Sequence, residues 1–196
     1  MPLTKVCKNE GFSLVELLLA LALGMGVFGV ILQILAAEGR NSGQLARLLR
    51  EKAFQRRSLD LVTSDLRQAT GISLSPEQME SVCALGGRTP VLHLSTKAGS
   101  ITYSLGRAPS AIWRGQVLMR CGPAYGLDGG LSAGGTALNR VVIDGLTATD
   151  PEAFCAEMSP SDGILRLALT QEFASGGRKQ TIRSQRQLDL TGLELL

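Results

Sequence analysis

The chain has 196 residues, of which 44% are hydrophobic, 19% are charged and 4% are aromatic, and its formal net charge is +3. This length suits one modest domain. The 20 basic and 17 acidic residues are spread along the chain, without the basic tail or stripe that would indicate nucleic acid. A single His excludes sites built from several histidines, and neither the GxSxG nor the GxxxxGK[ST] motif occurs. The composition therefore gives no support to an enzyme, and we expect no cofactor or metal.

The first element is an apolar run at residues 17–37 that contains no charge. As a helix rising about 1.5 Å per residue it would be about 31 Å long, which matches the roughly 30 Å hydrocarbon core of a bilayer. A secretory signal peptide is the alternative, but its apolar core is usually only about 7–15 residues long. Lys5 and Lys8 precede the run, and this predicts a cytoplasmic N-terminus and export of the chain after residue 37.

Glu16 is unusual for an ordinary membrane anchor. It is the fifth residue of the segment that begins at Phe12, and a carboxylate near the end of an inserted helix costs on the order of 1–3 kcal/mol. Two explanations stay open at this point. Either the side chain reaches the polar interface, or a positive group compensates its charge.

Residues 10–17 read Glu-Gly-Phe-Ser-Leu-Val-Glu-Leu and run directly into the apolar stretch. This segment resembles the prepilin signature of type IV pilins and type II secretion pseudopilins. The shared features are a short charged leader, Gly11 at the cut site, Phe12 as the new N-terminus, and Glu16 five residues into the mature chain. The resemblance implies that a prepilin peptidase cuts between Gly11 and Phe12 and that Phe12 is then N-methylated. It also implies a role for Glu16 in assembly.

The second half of the expected helix is amphipathic. Apolar residues recur at helical spacing: Leu45, Leu49, Leu59, Val62, Leu66 and Ala69. The helix is expected to end after Ala69, with Thr70-Gly71 as the stop signal. Asp60 and Asp65 lie among the arginines at 56, 57 and 67, which predicts a solvated charged face. The chain then divides into a leader at 1–11, a transmembrane and assembly helix at 12–37, its amphipathic continuation at 38–70, and an exported β-rich domain at 71–196.

Short strand-like runs punctuated by Gly, Pro and Ser follow residue 71. Residues 91–96 and 101–105 predict one hairpin, and residues 111–114 and 117–121 predict a second, tight hairpin at Gly115-Gln116. Further strands are expected at 140–147, 164–172 and 180–190, the last two joined at 175–178. An antiparallel sheet packed on the amphipathic helix, an α+β fold, follows from this order.

Several polar and aromatic residues are assigned structural roles. The glycine-rich segment 122–135 lacks the GxGxxG spacing and predicts a mobile surface loop. His93 lies in an alternating strand without a catalytic partner nearby, and Tyr103 and Trp113 are expected to pack on the sheet. A calcium site is the alternative role weighed for the later acidic residues, but their spacing fits no EF-hand loop: Asp128, Asp144, Asp150, Glu152, Glu157 and Asp162.

Cysteine pairing is constrained by the expected cleavage. Removal of the leader takes Cys7 away and leaves Cys83, Cys121 and Cys155, so one disulfide and one free thiol is the simplest outcome in an oxidising compartment. Counting the strands as an up-and-down meander favours a Cys83–Cys121 pair. Three reduced thiols remain the alternative.

The resemblance implies a structural, non-catalytic function. It points to a minor subunit of a type IV pilus, similar to PilW-like minor pilins or J-type minor pseudopilins, that primes assembly or lies at the tip. A type II secretion pseudopilin and a tip-located adhesin or DNA-binding module are the alternatives, and the only residues that hint at the last are Arg107, Arg114, Arg120 and Trp113.

The implied partners are the prepilin peptidase, the inner-membrane platform protein, the major pilin, other minor pilins, and membrane lipid before assembly. Nucleic acid is not expected unless the fibre takes up DNA. The implied location is the bacterial inner membrane with a periplasmic C-terminal domain, and then a cell-surface pilus or a periplasmic pseudopilus.

Overall fold

A computed structural model describes residues 13–75, 81–148, 153–159, 163–190 and 194–195. A single helix, α1 (Leu14–Arg67), is followed by the strands of one mainly antiparallel sheet. This is the α+β arrangement that the sequence predicts. The chain forms two compact units that divide within α1, between Ala46 and Arg47.

The first unit is helical, and its apolar side chains are exposed. The second unit contains the end of α1 and the sheet, whose strands have the following bounds: β1 (Ala69–Ser73), β2 (Thr89–Thr96), β3 (Gly99–Arg107), β4 (Gln116–Gly122), β5 (Leu138–Leu146), β6 (Phe154–Met158), β7 (Ile164–Ser175), β8 (Arg178–Asp189) and β9 (Glu194–Leu195). The strand order is β6-β7-β5-β4-β3-β2-β1-β9. Strand β8 lies outside this order and pairs with β7 along its whole length.

The helix ends slightly earlier than the sequence predicts. Residues 70 and 71, expected as its stop signal, lie inside β1, where Ala69 pairs with Thr96 and Gly71 pairs with Ser95. The expected end at Ala69 is therefore wrong by two residues, because the backbone from Ala69 onward pairs with β2.

Two of the three expected hairpins are confirmed. Strands β2 and β3 pair through Thr96 and Gly99, and β7 and β8 pair along their whole length. The tight hairpin at Gly115-Gln116 is wrong, because residues 108–115 form a loop between β3 and β4. The backbone of Arg114 forms two hydrogen bonds with β5 instead. Its N–H donates to Asp144 Oδ2 at 3.0 Å, and its carbonyl accepts from Gly145 N–H at 2.6 Å.

The core lies between the second half of α1 and the sheet. Leu59, Val62 and Leu66 of the helix are at most 2% exposed and belong to one apolar cluster with buried side chains of the sheet. The sheet contributes Ile72, Leu92, Leu94, Ile101, Leu118, Leu165, Leu167 and Leu169, among others. Burial of this helix face against the strands places the polar residues of the same face inside the domain.

Candidate functional site

The N-terminal segment carries the motif that indicates processing and assembly. Gly11 and Phe12 lie outside the described residues. Glu16 is exposed in the first turn of α1, where the positive end of the helix dipole favours a carboxylate. Its backbone N–H donates to the Ser13 carbonyl at 2.9 Å.

The side chains that follow Glu16 are apolar and exposed. Leu17 is 65% exposed, Leu23 is 67% exposed and Phe28 is 61% exposed. An 18-residue window of α1 has a mean hydropathy of 2.4 and is not buried against any other part of the described structure. This helix is long and apolar enough to cross a membrane. An exposed apolar surface of this extent is typical of a site that contacts lipid or another protein.

The second unit contains a buried charged cluster at Asp65, which we call the Asp65 cluster. Arg120 donates from Nε to Asp65 Oδ2 at 2.6 Å and from Nη2 to Oδ1 at 3.0 Å, and the hydroxyls of Tyr103 and Tyr125 donate to the same carboxylate. Arg120 also donates from Nη1 to the Pro123 carbonyl at 2.9 Å, and its guanidinium lies over the Tyr125 ring. The solvated face predicted for Asp65 is wrong, because the residue is fully buried.

The environment of the cluster shifts the pKa values of its members. Burial, reinforced by the Asp65 charge and hydrogen bond, raises the pKa of Tyr103 well above its usual value. Burial and the Asp65 hydrogen bond raise the pKa of Tyr125 to about 12. Burial acts to lower the pKa of Arg120, but the hydrogen bonds and charge of Asp65 outweigh it and raise that pKa. The guanidinium therefore stays charged and both phenols stay neutral near pH 7, and all three groups bond to the Asp65 carboxylate, so the cluster is a fully paired structural element.

A second polar cluster joins the helix to the loop at 108–115. Arg114 bridges two carboxylates, with Nη1 at 3.1 Å from Glu51 Oε1 and Nη2 at 3.0 Å from Asp144 Oδ1. Gln171 Nε2 donates to Glu51 Oε2 at 3.2 Å and to the Asp144 carbonyl at 2.9 Å. Glu51 is only 5% exposed. These contacts hold the loop, the helix and β5 together.

The arginines that hinted at a basic binding patch are engaged internally. Arg114 and Arg120 both form ion pairs, and of these three arginines only Arg107 is exposed without an ion pair to another described residue. Trp113 lies in the loop between β3 and β4 rather than in a strand, and it is 37% exposed. Tyr103 does pack in the core.

The glycine-rich segment is a surface loop that is fixed to the helix at two points. Tyr125 reaches Asp65, and the N–H of Leu131 donates to Gln68 Oε1 at 3.1 Å. Between these contacts the loop is exposed, and Leu127 is its most exposed apolar side chain. The expected surface position is confirmed, and the two anchors limit how far the loop can move.

The cysteines and the histidine have structural environments. Cys83 and Cys121 form a disulfide, the pairing that the meander favoured, and Cys155 is a free thiol. Burial and a contact with Glu157 raise the pKa of Cys155 to about 11. His93 Nδ1 lies 3.0 Å from Thr102 Oγ1 on the neighbouring strand, and burial lowers its pKa.

Three of the acidic residues considered for calcium, at 150, 152 and 162, lie outside the described residues. Within the described ranges, no three His, Cys, Asp or Glu side chains come together as metal ligands.

The sequence did not predict that the two polar clusters are buried and paired, although it carried a signal for their helical members Glu51 and Asp65. Glu51, Gln55, Ser58 and Asp65 are spaced by four, three and seven residues, which places them on the same helix face as Val62. Polar residues on a buried face require partners inside the domain. Their partners on distant strands could not be read from this spacing.

No protein-family model, curated protein or solved structure matches this chain.

Proposed function

We propose that the chain is a minor structural subunit of a type IV pilus, processed by a prepilin peptidase and carried into the fibre by its N-terminal helix. The single observation that carries this proposal is the segment Gly11-Phe12-Ser13-Leu14-Val15-Glu16, which runs directly into the apolar part of α1. The helix supports the proposal in two ways. Its first part exposes apolar side chains that a fibre or a bilayer would cover, and its last part is built into the core of a sheet domain.

The proposed role is structural rather than catalytic. The polar clusters of the second unit are occupied by mutual ion pairs and hydrogen bonds, which is the arrangement expected of a rigid, exported domain. We do not propose a DNA-binding module, because Arg114 and Arg120, two of the three arginines that suggested one, have carboxylate partners inside the domain. The proposed partners are the prepilin peptidase, the platform protein of the inner membrane, the major pilin and other minor pilins.

Replacement of Gly11 tests the proposal. In a bacterium with a prepilin peptidase, mass spectrometry of the wild-type chain should find an N-methylated Phe12 at the N-terminus. We expect Gly11→Leu to remain at full length in the membrane and to be absent from sheared fibres, because the larger side chain blocks access to the cut site.

Gly24→Leu is the matched control. It makes the same change within the exposed helix, where a Cβ would meet no other atom within 4 Å, and it should be cleaved normally. A mature N-terminus after residue 37, or a wild-type chain that is never processed, would refute the proposal.

A further inference from the structure

The outer side of the helix in the second unit carries unpaired arginines beside an apolar groove. All three acidic residues between Arg47 and Arg67 are paired with arginines of the sheet or its loops: Glu51 with Arg114, Asp60 with Arg186, and Asp65 with Arg120. The basic side chains of the same stretch have no ion pair in the part of the chain that the structure describes, and they are exposed: Arg47, Arg50, Lys52, Arg56, Arg57 and Arg67. The helix therefore presents a net positive outer face.

Two apolar residues interrupt this positive face along one stripe. Arg50, Phe54, Arg57 and Leu61 are spaced by four, three and four residues, so they are neighbours on one side of the helix. Phe54 is 48% exposed although it lies within the packed half of α1. The stripe is separate from the core face, whose central residue is Val62.

A groove lies beside this stripe, between α1 and β5. Its volume is about 130 Å³, and its walls include the apolar residues Leu61, Leu138, Val141 and Val142 together with Arg140. Strand β5 is irregular at this point, because Ile143 and Val141 pair with consecutive residues of β4 and leave Val142 without a partner. Such a bulge bends a strand locally. It brings two successive valines to the groove.

Two arginines are available for a partner, Arg140 in the wall of the groove and Arg57 on the helix beside it. Arg140 and Arg57 are exposed and have no ion pair among the described residues, and Arg57 is one helical turn from Leu61. The other arginine in the wall, Arg120, is neutralised by Asp65. The surface therefore combines an apolar floor with two free guanidinium groups.

We propose that this groove is a docking site for a protein segment that carries an apolar side chain flanked by carboxylates. An apolar cavity of about 150 Å³ holds a benzene molecule, so a groove of 130 Å³ suits one branched or aromatic side chain. Carboxylates on either side of that residue would meet Arg57 and Arg140, and bidentate pairs with arginine would fix their position. This proposal goes beyond the proposed function, because none of these residues belongs to the N-terminal motif.

Photo-cross-linking of the full chain in cells tests the docking site. A benzoylphenylalanine introduced at Phe54, on the same stripe as the groove, should form a cross-link to a protein. Sequencing of the cross-linked peptide should find Asp or Glu within four residues of the attached side chain. Arg57→Glu combined with Arg140→Glu should lower the cross-link yield by about tenfold, because two attractions become repulsions.

A matched control changes two exposed cations elsewhere in the domain. Arg107→Glu combined with Lys97→Glu alters the net charge equally and should leave the yield within about twofold, since electrostatic effects at this surface are local. The proposal is overturned if both double variants reduce the yield equally, if neither does, or if the photoproduct is a lipid, a nucleic acid or absent. Cleavage at Gly11 is measured separately, so an uncleaved chain that still cross-links in this way would refute only the proposed function.

Discussion

Asp65 lies on the buried face of an amphipathic helix, where a carboxylate without partners would be strongly unfavourable. Desolvation of a buried ion pair often exceeds the attraction between its members, so such a pair is retained only when hydrogen bonds satisfy both groups. Arg120 and the two tyrosine hydroxyls provide this for Asp65. The four contacts connect the helix to β3, β4 and the glycine-rich loop, so they define how these elements fit together.

Asp65→Asn should destabilise the domain by about 3–5 kcal/mol, because the variant leaves the buried Arg120 without a counter-charge. Chemical denaturation of the detergent-solubilised chain, followed by near-ultraviolet circular dichroism, measures this loss. The double variant Asp65→Leu with Arg120→Met should lose less than Asp65→Asn, since it removes both charges together.

Asp60→Asn provides the control for this series. Asp60 pairs with Arg186, but its side chain is 57% exposed, and solvent screens such a pair. The expected loss is therefore about 0–1 kcal/mol. A similar loss in Asp60→Asn and Asp65→Asn would contradict the structural role assigned to the Asp65 cluster.

The two tyrosines predict an alkaline transition. They are the only tyrosines in the chain, and both donate to Asp65. The folded state holds the phenol proton of Tyr125 up to a pKa of about 12, above the ordinary value of 10.0, so stability should fall as the pH rises from about 10 through 12. Absorbance of the tyrosinate ion near 295 nm should stay low at pH 10 in the folded chain. Tyrosinate formation near pH 10 without unfolding would contradict the prediction.

At the scale of elements, hydrogen bonds to a neighbouring strand decide whether the segment before β4 becomes a strand or a loop. Residues 111–114 include Ile112 and Trp113, which favour strands, yet Arg114 directs its N–H and carbonyl to Asp144 and Gly145 of β5. Gly115 follows with a φ of +56°, a conformation that glycine adopts without steric cost. The segment therefore forms a loop that is hydrogen-bonded to β5, and β3 and β4 are joined by this loop instead of by a tight turn.

The Cys83–Cys121 disulfide ties the segment before β2 to the end of β4, across a sequence separation of 38. A loop of this length predicts a stabilisation of about 2–4 kcal/mol. The double variant Cys83→Ser with Cys121→Ser should lose this amount in denaturant titrations, whereas Cys155→Ser should change stability little because Cys155 is unpaired. Peptide mapping without reduction that found Cys121 joined to Cys155 would refute the pairing.

At the scale of the whole molecule, one helix serves two different environments. Its early residues are apolar and exposed, while its late residues form the core of a domain. In the proposed fibre, the early parts of many helices would pack together and exclude water. Glu16 would then need a positive partner, and the α-amino group of Phe12 on a neighbouring subunit could provide one.

Glu16→Val should leave membrane insertion and cleavage intact and should sharply reduce the amount of the subunit in sheared fibres. Glu16→Asp, which is one methylene shorter, should be partly defective. Immunodetection in sheared fibres, compared with the level in membranes, measures the effect. Gln33→Val is the control, since it also adds apolar surface to the helix but removes no charge. Equal incorporation of Glu16→Val and Gln33→Val would show that the charge has no role in assembly.

The sequence alone determined the properties that depend on neighbouring residues. The length and apolarity of the helix, the α+β order of elements and the hairpins around residues 97 and 176 follow from local spacing and turn chemistry, which act over a few residues. The processing and assembly roles of Gly11, Phe12 and Glu16 likewise remain predictions from a local motif.

Only the tertiary structure decided which charges are buried. Asp65 and Arg120 are 55 residues apart, and the same pattern of charges would suit a solvated face. Their pairing depends on how the sheet curls against the helix, which is a property of packing between distant segments and not of either segment alone.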